Sequence, residues 1–148
     1  MSIFYKSGYK YQLQSDYVHR LPHMNLLPYV LNEIETDYLW LGTQGAFNDV
    51  HMQLIVKRGY AWDGPSGPTI DTKNFMRGSL VHDALYQLMR LGHLDKNVYR
   101  IRADRELYSI CREDGMCHIR AQVVYWGVRI GGNPGSRYGA ENPIIEAP

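Results

Sequence analysis

The sequence predicts an α+β domain, a small antiparallel sheet followed by three helices, and three observations predict it. Apolar and polar side chains alternate with a period of two in runs across the first sixty residues. A stretch rich in glycine and proline follows. From residue 75 onward apolar residues recur at helical spacing in three blocks, closed by Gly92, Gly115 and Gly131-Gly132. At 148 residues, 45% of them hydrophobic, the chain can bury one core without staples, and no repeat or composition shift divides it. The expected layout is a single domain over 1–148: a β-rich part over 1–58, a loop over 59–74, helices over 75–132 and a loop-like tail over 133–148.

Tyr9, Tyr11 and Leu13 alternate with Lys10, Gln12 and Gln14, as a strand with one wet face does. Ile34, Thr36, Tyr38 and Trp40 alternate with Glu33, Glu35 and Asp37, and Met52, Leu54 and Val56 share a face of the run His51 to Lys57. Gly42 to Gly45 and Asn48-Asp49 are turn formers between the last two runs. Short links favour an antiparallel meander. Leu21 to Leu31, with Pro22 and Pro28, reads as loop. Gly59 to Pro68 holds three glycines and two prolines and continues neither strand nor helix. The first helix is expected from Phe75 to Leu91, capped by Asp71 or Asn74, with Gly92 at its end. The second runs from Asp95 or Lys96 to Asp114, and the third from Met116 to Ile130.

Composition excludes several classes. Formal net charge is +1, pI is near 7.8 and there is no basic block, so no footprint for nucleic acid is present. No apolar run approaches the ~18 residues of a membrane span, and Met1 to Gln14 lacks the apolar core of a secretory signal. Stable membrane insertion is therefore not expected. Cys111 and Cys117 fit neither a disulfide framework nor a zinc spacing, which points to a reducing cytoplasm.

The chemistry concentrates on the first two helices. Val98, Ile101, Tyr108 and Cys111 mark a buried stripe on the second, and Asp104 sits in it while Arg102, Arg105, Glu106, Arg112 and Glu113 occupy the exposed arc. A carboxylate on an apolar face requires a partner. On the first helix, His82 and Asp83 interrupt a run of apolar residues. Two helices joined through Gly92 pack antiparallel, and His82 lies ten residues before that glycine and Asp104 twelve after it. A His82–Asp104 contact would fix the imidazole tautomer and raise its basicity. Asp83 points about 100° away from His82, toward the glycine-rich loop, where Asp63, Ser66 and backbone carbonyls are hard oxygen donors suited to calcium. The same residues admit a plain structural role, since buried His–Asp pairs also lock helices together. His19, His23, His51, His93 and His118 read as surface or packing residues, Arg100, Arg102 and Arg105 as a solvated face, and Trp126 with Ile119, Val123 and Ile130 as core.

The Asp-Gly loop, the helix with His82-Asp83-x-x-Tyr86 and the helix with Ala103-Asp104-x-x-Leu-Tyr resemble the core of the phospholipase A2 superfamily, most of all its bacterial and fungal branch. The resemblance implies His82 as general base, Asp104 as its orienting acid, and a calcium ion held by Asp83 with Asp63 and Gly64, with Tyr86, Ser66 and Tyr108 in support. No cysteine adjoins His82, unlike the disulfide-bonded extracellular enzymes, and Asp63-Gly64-Pro65-Ser66-Gly67 differs from the calcium loop of the animal enzymes. Tyr60 to Pro68, Leu80 to Tyr86, Arg102-Ala103-Asp104 and Trp126 to Gly132 also resemble a family of small proteins of tailed phages and prophages that brings no activity with it.

Two functions follow as expectations. One is a phage hydrolase acting on an ester or phospholipid through water activated at His82. The other is a non-enzymatic virion or assembly protein, with phage structural proteins as partners and a tyrosine-rich sheet as contact surface. Either is expected in the host cytoplasm or incorporated in the virion. Metal-dependent phosphohydrolysis ranks last, with His51 its one tidy upstream ligand.

Overall fold

A computed structural model describes residues 3–6, 11–24, 32–64, 72–132 and 144–147. Among these the chain forms strands β1 (Ile3–Lys6), β2 (Tyr11–Gln12), β3 (Tyr17–Arg20), β4 (Ile34–Glu35), β5 (Leu39–Gln44), β6 (His51–Val56) and β7 (Ala61–Trp62). Helices α1 (Lys73–Arg90), α2 (Lys96–Glu113) and α3 (His118–Gly131) follow, then β8 (Ile144–Ala147). Antiparallel strands come first and three helices after them, the α+β order that the periodicities predict.

The main sheet has the order β3-β6-β5-β4, all antiparallel. Its β4-β5-β6 part is the expected meander. β3 was not anticipated; it joins the free edge of β6, with Tyr17 opposite Val56 and Arg20 opposite Gln53. The run expected from residue 34 to 40 is broken by a tight turn, in which Thr36 N–H donates to the Leu39 carbonyl at 2.8 Å. Thr36 Oγ1 also accepts from Leu39 N–H at 3.0 Å. The turn shifts the phase of the alternation, so Leu39 and Leu41 are buried while Tyr38 is 49% exposed. Gly42 lies within β5 and not in a turn. A Cβ there would meet the Trp40 ring at 2.8 Å, which explains the glycine. The hairpin tip comes at Gly45, whose φ of +105° only glycine adopts readily.

Only Tyr11-Gln12 of the expected first strand is seen as strand, paired with β7, and Tyr9 lies outside the described residues. The tail is not wholly loop: β8 pairs antiparallel with β1, Ile3 opposite Ala147. Its Ile144-Ile145 pair has the β-branched character that strands favour.

α1 begins after Thr72, whose hydroxyl donates to Asn74 Oδ1 at 2.6 Å, so neither residue expected as its cap holds that place; Asp71 lies outside the described residues. Gly92, at φ +79°, ends the helix as expected. In α2 the Asp95 carboxylate accepts from Asn97 N–H at 2.9 Å, satisfying one of the free donors of the first turn. α1 is buried on nearly every side. Val81, Ala84, Leu85 and Leu88 join Leu39, Leu41, Leu54 and Val56 of the sheet in one core. Gly78 is a point of close approach to α2, where a Cβ would come within 3.0 Å of Cys111 Sγ and Leu107 Cδ1. A second core of Phe75, Leu107, Cys111, Met116, Ala121 and Val124 lies beneath α3.

Two helical faces differ from expectation. On α2 Asp104 is buried as inferred, but Val98 is 39% exposed, and Glu106, expected in solvent, is 1% exposed. Glu106 Oε1 accepts from His23 N–H at 2.7 Å, which ties the 3-10 turn Pro22–Met24 to α2. On α3 the stripe expected in the core faces outward. Ile119, Val123, Trp126 and Ile130 are 57–82% exposed, while the helix docks through Ala121, Val124 and half-buried Val128. α3 carries two apolar arcs, and helical spacing alone does not select between them.

Candidate functional site

His82 and Tyr86 are one turn apart on α1 and share the face turned to α2. Asp104 meets them from α2 with no solvent exposure. His82 Nε2 lies 2.7 Å from Asp104 Oδ1, and Tyr86 hydroxyl donates to the same oxygen at 2.7 Å. The other oxygen, Oδ2, accepts from Arg129 of α3 at 2.7 Å. One carboxylate thus joins three helices. As an ionised acid it only accepts, so the imidazole proton sits on Nε2 and the Nδ1 lone pair is left over. Among the described residues Nδ1 has no hydrogen bond. The His82 and Tyr86 rings are in contact, with centroids 4.1 Å apart.

Burial opposes ionisation of Asp104. The hydrogen bonds from His82, Tyr86 and Arg129 and the attraction to His82 outweigh it and hold the carboxyl below its ordinary range. The Tyr86 phenol is pushed well above its usual value by burial and by Asp104, so it remains a donor. Asp83, on the adjoining face of α1, behaves oppositely. Burial raises its carboxyl to about 6, with a further push from Asp63, against the pull of His82 and Arg90.

The structure therefore brings His82, Asp104 and the expected supporting residue Tyr86 together. Asp83 and Asp63 lie close enough to influence each other electrostatically. Gly64 is buried with a φ of +76°, and a Cβ there would strike the Tyr11 ring at 2.5 Å, which restricts the position to glycine. Ser66 lies outside the described residues. Tyr108 does not join the pair: its hydroxyl is 2.8 Å from His118 Nδ1, and its ring meets Tyr125 edge-on. His51 Nδ1 is 3.1 Å from the Asp49 carbonyl oxygen, within its own hairpin.

Sequence reasoning missed Arg129. The signal was present, because a buried carboxylate calls for a cation, and Arg129 is the one charged residue in the last two turns of α3. Arg100 was also misplaced on a solvated face. Its guanidinium donates to the carbonyls of Val128 and Arg129 at 2.9 and 2.5 Å, satisfying groups that the end of α3 leaves free. Arg102 donates to the His23 carbonyl at 3.0 Å.

The carboxylates near one another here, among the described residues, are those of Asp83 and Asp63, with the Arg90 charge also acting on Asp83. Among the described residues no cluster of three or more acid, histidine or cysteine side chains forms a metal centre. A half-buried carboxyl beside an exposed second acid nonetheless suits a hard cation, because binding one relieves both desolvation and repulsion. Comparison of the chain with known protein families, curated proteins and solved structures finds no match.

Proposed function

We propose that the protein is a hydrolase in which His82 activates water against an ester, with Asp104 as positioning residue. The observation that carries this reading is the His82 ring, bound through Nε2 to a fully buried carboxylate, with an Nδ1 lone pair that has no hydrogen bond among the described residues. In the proposed reaction Nδ1 takes a proton from water as its oxygen adds to the ester carbonyl. The tetrahedral intermediate then expels the alcohol, which leaves with the proton held by the imidazolium. Asp104 stabilises the imidazolium, while Tyr86 and Arg129 keep that carboxylate in place. Asp83, Asp63 and the Gly64 carbonyl would hold a calcium ion, which when bound supplies Lewis-acid stabilisation of the oxyanion. The phospholipase A2-like sequence pattern supports an ester, and a phospholipid in particular, as the substrate class.

A second reading is favoured by Arg129. Its charge already balances Asp104, as a lock between helices requires, and the phage-like segments suit a virion or assembly protein in the host cytoplasm. His82→Gln separates the two. Glutamine keeps a donor near the Nε2 position while removing the Nδ1 base. On the hydrolytic reading, turnover of p-nitrophenyl esters and phosphatidylglycerol falls by about 10²–10⁴ while the melting temperature hardly moves. Absence of turnover in the wild type, with and without millimolar calcium, would overturn the hydrolase and leave the lock.

A further inference from the structure

A recess of about 270 Å³ between β3, the Pro22–Met24 turn and α2 is lined by His19, Arg20, Pro22, Glu106 and Glu113. Two of these side chains are buried and incompletely bonded. His19 is 9% exposed and Glu106 1%. Glu106 Oε1 accepts from His23 N–H, and His19 Nδ1 lies 3.0 Å from the Tyr17 hydroxyl. Among the described residues neither Glu106 Oε2 nor His19 Nε2 has a hydrogen bond, and the two face each other at 3.8 Å. A buried carboxylate calls for a cation, and an unpaired buried ring nitrogen carries a desolvation cost. The arginines nearby are committed elsewhere: Arg20 to Asp49, Arg77 to Glu113 and Asp114, and Arg102 to the His23 carbonyl.

The width of the gap selects what fits it. A proton on Nε2 would leave that N–H unsatisfied, because 3.8 Å exceeds hydrogen-bond reach. A hydroxyl or ammonium group about 2.8 Å from both atoms would need an angle of about 85° at its centre, and Nε2 is closed to anything of water's size. Zinc binds imidazole nitrogen at about 2.0–2.1 Å and carboxylate oxygen at about 2.0–2.2 Å, which spans the gap at an angle of about 130°. An approach of about 0.4 Å would make that angle tetrahedral. The Tyr17 oxygen accepts from Arg77 at 3.2 Å and has room to accept from Nδ1–H as well. Nε2 then presents its lone pair, the outer-shell arrangement of a metal-binding histidine. We propose that His19 and Glu106 bind a divalent ion of the zinc class, tying β3 to α2, with water from the recess completing its shell. Two side chains are fewer than the three of a full protein-built centre, which the described residues do not contain. The nitrogen ligand sets this site apart from the all-oxygen calcium site around Asp83. The inference is independent of the hydrolytic reading, since it involves neither His82 nor Asp104.

The test is calorimetric titration of the EDTA-treated full chain with zinc chloride, alongside X-ray absorption of the zinc-loaded protein. One equivalent is expected to bind, in a nitrogen and oxygen shell with a single imidazole and no sulfur, and millimolar calcium should not displace it. His19→Gln and Glu106→Gln should abolish this binding, and glutamine at 106 keeps an acceptor for His23 N–H. Tyr17→Phe retains the ring and removes the outer-shell oxygen, so it should weaken binding about tenfold or more, whether or not the other two variants fold. His82→Gln and Cys117→Ser should bind as the wild type does, so loss of catalysis and loss of zinc are read separately. No zinc uptake by the wild type, a sulfur ligand, or full binding by Tyr17→Phe or a folded Glu106→Gln would overturn the proposal. So would loss of binding in His82→Gln or Cys117→Ser.

Discussion

Replacing Arg129 by methionine tests whether Asp104 is the electrostatic hub of the helical half. Methionine retains the apolar stem and removes only the cation. The Arg129 side chain is 23% exposed, so the loss falls mainly on Asp104, which is not exposed at all. Breaking a buried ion pair costs about 3–5 kcal/mol, and His82 and Tyr86 still donate to the carboxylate, so the expected cost is about 3 kcal/mol. For a chain of this length that lowers the melting temperature by roughly 6–12 °C. The pH dependence has a definite sign. The Asp104 carboxyl is held below its ordinary value in the folded state, so its stabilisation is present above an unfolded value of about 3.9 and lost as pH falls through the folded one. The gap between wild type and Arg129→Met should therefore be full at pH 7 and narrow as Asp104 protonates in acid. The assay is urea denaturation across pH with the cysteines kept reduced. A cost under about 1 kcal/mol, or one that does not change with pH, would refute the hub.

Other substitutions probe the surroundings. The folded Asp83 carboxyl is raised to about 6, so the native state binds that proton more tightly than the unfolded chain, and stability falls as pH rises from about 4 through 6. Asp83→Asn in EDTA should accordingly stabilise the protein by about 2–3 kcal/mol at pH 7, with the gain disappearing near pH 4, as thermal melts will read. The same variant should abolish any rise in melting temperature that millimolar calcium gives the wild type. Gly132→Ala places a Cβ 2.5 Å from the Val128 carbonyl oxygen and 2.7 Å from the Tyr86 hydroxyl, and shifting the backbone and the Tyr86 group away should cost about 1–3 kcal/mol in urea denaturation. Cys117 is exposed, whereas burial pushes the Cys111 thiol up to about 12. A thiol reagent should therefore label one cysteine in native protein and two in denaturant, as mass spectrometry will count.

The sequence by itself determined the elements whose signal is local. The β6 alternation, the extents of the helices to within a few residues and the glycines that end α1 and α2 follow from side-chain period and backbone freedom, which act over one or two turns. It also determined the His82–Asp104 contact, because a short connection equates depth along an antiparallel helix pair with distance from the turn. Tertiary structure decided what depends on a choice between equivalent local patterns. The Thr36–Leu39 turn reversed the phase of β5, an effect invisible to an alternation that continues through it. α3 offered two apolar arcs, and the space above Leu107 and Cys111 selected the one of small residues, leaving Trp126 outside. Arg129 reached Asp104 from 25 residues away only because α3 packs across α2. Local preferences reach a few residues along the chain, whereas the partner of a buried charge is whichever group the completed packing brings within 3 Å of it.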